Sequence, residues 1–256
     1  MGVVTSVLAR RRVEAFVAVG WCVGTWFIVA PHLGRVGLWW AISIAAFAVL
    51  PGTLLLVLIA LPLWRARWLL PVVVELALVA LVCSLVGWGL AANFAKLWAA
   101  VFAGWAFLTL FEQLSWVVLV ACVIPLVDIV SVWRGPTHAI TSHHFEVYTA
   151  VAIAFLVPGG GAAYLGPPDV LFYALFLAAA ARWNLRVGWT WFAMTYTYGL
   201  TIVIANAADV AGLPALPFLS AAFLAANADL LWAAIRRSED SSSSSPSSSG
   251  DDPAPS

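Results

Sequence analysis

The sequence predicts an all-α fold, a polytopic bundle of about eight transmembrane helices with a range of roughly seven to nine. Three observations predict it. Of 256 residues, 64% are hydrophobic and 9% charged, whereas a soluble domain carries roughly 25% charged residues. The mean hydropathy is +1.00, so the chain cannot cover its surface with polar groups in water. Its 15 tryptophans suit a protein whose indoles gather at two membrane–water interfaces.

The same composition excludes other classes. Formal net charge is zero and no basic stripe appears, which leaves no case for nucleic acid; the partner that composition demands is the lipid bilayer. Cys22, Cys83 and Cys122 all lie inside apolar runs and imply no disulfide framework.

A spanning helix needs about 20 mostly apolar residues. Arg10-Arg11-Arg12 precedes the first such run, Val13–Pro31, which is too long for the core of a cleaved signal peptide. The next three runs are Val36–Trp64, Trp68–Ala92 and Ala91–Phe111, the last two meeting near Asn93. Then come Leu114–Trp133, Leu165–Ala181, Val187–Ala208 and Leu213–Ile235. From Ser238 the chain becomes acidic and serine-rich, a composition that cannot bury apolar area and predicts a disordered tail over 238–256. The chain thus divides into an N-terminal four-helix part (1–112), a second part with the remaining helices (113–237) and the tail.

Phe145–Val157 does not fit as a span. It is short and apolar, bounded by His143-His144 and Pro158-Gly159-Gly160-Gly161. Segments of about 10–14 apolar residues are more often interfacial or re-entrant, and Val, Tyr, Thr, Ile and Phe favour extended structure. A short re-entrant or strand-like element near 145–157 is expected.

Cations set the orientation. With the N-terminus in the cytoplasm and eight spans, Arg10, Arg11, Arg12, Arg65, Arg67, Arg182, Arg186, Arg236 and Arg237 fall inside, and Arg35, Lys96 and Arg134 outside. This bias predicts two cytoplasmic termini. Short loops and the serine-rich tail point to a prokaryotic plasma membrane.

Acidic residues inside a bilayer cost about 2.5–3.5 kcal/mol on insertion scales, so Glu75, Asp128, Asp169, Asp209 and Asp229 each need a reason. Asp128 lies near the end of one span and Asp169 near the start of the next. On consecutive antiparallel helices both fall within roughly 8 Å of the same interface, where their carboxylates can face each other. Two carboxylates at one site share a proton. That state supports peptide hydrolysis: one group takes a proton from water while the other protonates the scissile carbonyl oxygen. The pair titrates as a unit, so neither residue is assigned base or acid.

Three blocks then carry a family resemblance. They are Pro125-Leu126-Val127-Asp128-Ile129, Leu165-Gly166-Pro167-Pro168-Asp169-Val170, and Leu213-Pro214-Ala215-Leu216-Pro217. In this order they resemble the presenilin and signal-peptide-peptidase family of intramembrane aspartyl proteases, which carries Tyr-Asp, Gly-Xaa-Gly-Asp and Pro-Ala-Leu on successive helices. The resemblance covers about Leu114–Leu231. It implies Asp128 and Asp169 as the catalytic pair, with Gly166, Pro214, Ala215, Leu216 and Pro217 shaping the substrate site. It also implies transmembrane-helix peptides as substrates, with the 145–157 element helping to hold substrate as an added strand. No metal or organic cofactor is needed. Two departures stand out: Val127 replaces the aromatic residue and Pro168 the second glycine. Proline forbids a glycine-like backbone and predicts a helix start with Asp169 in its first turn.

Other polar residues have plainer readings. Glu75 reads as an interhelical hydrogen-bonding residue, Asn227 with Asp229 as a polar packing contact, and His138, His143 and His144 as a solvated interfacial loop with no metal. Rival functions are a proton- or cation-coupled transporter or channel through Asp128, Asp169 and Glu75, an inactive presenilin-like protein that binds helices, and a prepilin-peptidase-like enzyme. Pro168 favours the second, and the Pro-Ala-Leu-Pro block is unexplained by the last.

Overall fold

The computed structural model describes residues 2–134, 149–208 and 213–243. Outside the described residues lie 135–148, with His138, His143, His144 and the first part of the 145–157 segment, together with Asp209 and the tail after Ser243. In chain order the elements are α1 (Gly2–Val29), α2 (Leu38–Ile44), α3 (Leu50–Ala60), α4 (Leu69–Val86), α5 (Gly89–Leu108) and α6 (Leu114–Arg134). Then follow β1 (Ile153–Leu156), β2 (Ala162–Leu165), α7 (Pro167–Arg182), α8 (Val187–Ala207) and α9 (Leu216–Ser243).

Among the described residues, six stretches are long and apolar enough to cross a membrane: Ala9–His32, Leu38–Arg65, Leu69–Val86, Gly89–Leu108, Leu114–Ser131 and Leu216–Ala234. The chain is therefore an integral membrane protein of mainly helical fold. Two expected spans are not among the six. Helix α7 has 16 residues, about 24 Å at 1.5 Å per residue, against a hydrocarbon core of ~30 Å. Helix α8 has the length but carries Thr190, Thr195, Thr197, Thr201, Tyr196 and Tyr198, which dilute its apolar character. Tyr173 through Ala180 of α7 have no exposed surface, so protein rather than lipid surrounds this helix.

Several expected boundaries are corrected. The rod from Leu38 to Arg65 is continuous, but Ala45–Val49 form a π-helical turn. Pro51 follows at once; its missing N–H is accommodated by a widened turn rather than a break. Helix α8 crosses here. A Cβ on Gly199 would lie 2.7 Å from the Ala46 carbonyl oxygen, so only glycine allows the approach. The third and fourth spans separate at Gly87–Trp88 rather than near Asn93. Gly87 adopts φ +81°, and Trp88 N–H donates to the Cys83 carbonyl at 2.8 Å, a glycine C-cap that ends α4. Helix α9 runs on to Ser243, past Ser238 where the tail was expected to begin.

The strand-like expectation is met over Ile153–Leu156. Its partner, the strand Ala162–Leu165, ends at Leu165, where a helix was expected to begin. The two pair antiparallel, with Ile153 opposite Leu165 and Leu156 opposite Ala162. The connecting turn needs glycine: Gly159 and Gly160 have φ of +86° and +83°, accessible to glycine at no steric cost. The Gly159 N–H donates to Ala30 O at 3.2 Å, tying the turn to the end of the first span.

The outer edge of β1 is closed by side chains from the N-terminal half. The Asn93 amide bonds both sides of Ala154, donating to its carbonyl at 2.9 Å and accepting its N–H at 2.7 Å. Trp26 Nε1 donates to Leu156 O at 2.9 Å, and Lys96 Nζ to Ala152 O at 2.8 Å. Alternate residues of a strand point their polar groups the same way, so three side chains satisfy one edge in place of another strand.

Candidate active site

Asp128 stands in the last third of α6, three residues after Pro125, which the helix carries in its interior. It is half-buried, whereas Leu126, Val127 and Val130 beside it are exposed. Apolar neighbours thus face outward and the carboxylate faces α9. There the N–H of Leu216 donates to Asp128 Oδ2 at 3.1 Å. Leu216 opens α9, and the first N–H groups of a helix have no intrahelical partner. An anion placed there is favoured by the helix dipole as well as by the bond. Pro214, Ala215 and Leu216 are buried and Pro217 half-buried, so the whole Pro-Ala-Leu-Pro block packs beside Asp128.

Asp169 is the third residue of α7. The helix starts at Pro167, where proline's missing N–H is no loss. Gly166 precedes it as N-cap with extended backbone, φ −67°, and its N–H donates to Asp169 Oδ2 at 3.1 Å. Gly166 was expected to shape the substrate site; its observed contact is this one, with the aspartate itself. A Cβ added at Gly166 would lie 3.2 Å from Asp169 Oδ2, so the carboxylate would have to shift by a few tenths of an ångström. The sheet aims this residue: β2 ends at Leu165, one residue before Gly166.

Asp128 and Asp169 stand on neighbouring helices, α6 and α7. Helices α6, α7 and α9 pack on one another, so the three sequence blocks converge on one place from positions 128, 169 and 214–217.

Behind Asp169 lies a polar cluster that sequence reasoning missed. The Tyr198 hydroxyl donates to the Asp169 backbone carbonyl at 2.6 Å. Tyr198 stacks on Tyr173 with ring centroids 5.8 Å apart, and Tyr173 shares a 2.7 Å hydrogen bond with Thr195. A usable signal existed: Thr195-Tyr196-Thr197-Tyr198 is a polar run inside an otherwise apolar helix, and such groups need partners in a membrane.

The remaining acids serve elsewhere. Glu75 is exposed on α4, which packs on α5. Asp229 forms a two-pronged ion pair with Arg186, at 2.6 and 2.9 Å. Asn227 accepts the Arg186 N–H at 3.0 Å and donates to Thr190 at 2.8 Å. This is the polar packing contact expected from sequence, and it joins α8 to α9. No protein-family model matches the chain, and no curated protein or solved structure matches it either.

Proposed function

We propose that the protein is an intramembrane aspartyl endopeptidase of presenilin type that hydrolyses peptide bonds of transmembrane segments, with Asp128 and Asp169 as its catalytic pair. The observation that carries this reading is the convergence of three distant blocks: α6, α7 and α9 pack on one another while Asp128 holds the Leu216 N–H. An outward-snorkelling Asp128 would not hold the Leu216 N–H. In this reading eight helices cross the membrane, α7 and α8 being the inner two, and both termini are cytoplasmic.

The two carboxyl groups hold one proton between them. The ionised group takes a proton from a bound water, whose oxygen forms a bond to the scissile carbonyl carbon. The protonated group gives its proton to the carbonyl oxygen. Collapse of the tetrahedral intermediate breaks the C–N bond, and the proton taken from water goes to the leaving amine. A new carboxyl and a new amine result, and no cofactor takes part. A helical substrate must unwind locally first, since its carbonyls are engaged in its own hydrogen bonds.

A second reading, an inactive relative that binds helices without cutting, is favoured by one observation. Asp169 Oδ2 is engaged by Gly166 at the proline-started turn, as in an ordinary helix cap. The two readings separate in proteoliposomes carrying a labelled single-span reporter. The protease reading expects a cut inside the span that disappears in Asp128→Asn and in Asp169→Asn. Intact reporter with wild-type protein favours the inactive relative. Proton or cation flux that needs Asp128, Asp169 and Glu75 favours a transporter.

A further inference from the structure

Cations gather at one end of the bundle, and most are engaged. Arg10 pairs with Glu14 at 2.9 Å, Arg186 with Asp229, and Arg182 donates to the Leu108 carbonyl at 3.0 Å. Arg11 and Arg12 form no ion pair among the described residues, and the Arg65 guanidinium lies over the Trp64 ring, 5.1 Å from its centroid. These three arginines line one cleft of about 690 Å³ between α1 and the end of the Leu38–Arg65 rod. A second cleft of about 420 Å³ is walled by Val13, Phe16, Trp98 and Phe102. Arg12, Ile59 and Pro62 belong to both, so a cationic space and an apolar space adjoin around one arginine.

We infer that this double cleft binds one anionic phospholipid, its phosphate among Arg11, Arg12 and Arg65 and an acyl chain along Val13, Phe16, Trp98 and Phe102. Guanidinium groups match phosphate oxygens in paired geometry, and basic pockets between membrane helices hold acidic headgroups. The order of the two chemistries along α1 fits an amphiphile. Phe16 lies one turn beyond Arg12, about 6 Å deeper along the helix, as an acyl chain lies deeper than its phosphate. A free phosphate would satisfy the arginines and leave the apolar cleft unexplained. Trp64, at the end of the Leu38–Arg65 rod, lines the cationic cleft, the indole placement that interfaces favour.

The test is native mass spectrometry of the full chain, extracted into detergent from vesicles of equimolar phosphatidylglycerol and phosphatidylcholine. Wild-type protein is expected to retain phosphatidylglycerol over phosphatidylcholine by about tenfold or more. Arg11→Gln/Arg12→Gln/Arg65→Gln brings the ratio close to one. Arg12→Gln alone lowers it by about fivefold, which keeps the test open if the triple variant does not fold. Arg67→Gln, which removes an exposed cation at the same end without lining the cleft, leaves the ratio unchanged. No preference in the wild-type protein, or an equal loss in Arg67→Gln, would overturn the proposal. Collapse of the preference in excess inorganic phosphate would assign the arginines to a free anion and overturn it too.

Discussion

The backbone N–H of Leu216 donates to Asp128 Oδ2 at 3.1 Å across 88 residues of sequence. One side chain therefore has two roles: it satisfies the open end of α9, and in the proposed reaction it is one of the two acids. The roles separate by substitution. Asp128→Asn keeps an acceptor oxygen for Leu216, and Asp128→Ala does not. Both are expected to abolish cleavage of a reporter helix. Only Asp128→Ala is expected to lower thermal stability in detergent, by about 1 kcal/mol, the usual loss of a helix N-terminal acceptor.

Tyr198→Phe keeps the stack on Tyr173 and removes one hydrogen bond, that to the Asp169 carbonyl. Loss of a buried hydrogen bond costs about 1 kcal/mol, and here it loosens the first turn that carries Asp169. The expected result is a fall in kcat of up to about tenfold with KM unchanged, the pattern of a group that matters only in the transition state. A rise in KM instead would place the hydroxyl against substrate.

Asn93→Ala strips the edge of β1 at Ala154, leaving an N–H and a carbonyl without their partners. Unsatisfied buried groups cost about 1–3 kcal/mol. Amide exchange at Ala154 and along β2 is expected to accelerate, while exchange in α9 stays as it was. Because β2 leads through Gly166 to Asp169, cleavage is expected to fall in step with hairpin protection.

Pro168→Gly restores the Gly-Xaa-Gly-Asp pattern. Glycine near a helix start widens the unfolded ensemble, so stability is expected to drop by about 0.5–1 kcal/mol. Cleavage is expected to rise, because the turn holding Asp169 Oδ2 on Gly166 is freed to present the carboxylate to water. Unchanged cleavage would show that the proline-started turn already presents it.

Some of this was legible in the sequence. Asp128 and Asp169 stand out because an ionisable residue in an apolar run is costly enough to call for a reason, and the proline pair before Asp169 announced the helix that the structure has. Other parts depended on partners that sequence spacing does not reveal. Asn93 reads as a polar residue at a span boundary, yet its partner Ala154 is 61 residues away. Tyr198 reads as one more aromatic in a helix, yet its hydroxyl finds a carbonyl 29 residues back. The α4–α5 boundary was misplaced because the apolar run continues through it; Gly87, the residue that ends the helix, was the available signal. Helix α7 was expected to be a lipid-length span, and burial by its neighbours lets it be shorter.

The measurement that tests the central claim most directly is cleavage of a reporter transmembrane helix by the purified protein in liposomes made in oxygen-18 water, read by mass spectrometry. A protease with this catalytic pair is expected to give a cut inside the span, heavy oxygen in the new terminal carboxyl group, and no product from Asp128→Asn or Asp169→Asn. An intact reporter, or a cut that persists when both aspartates are replaced, would contradict it.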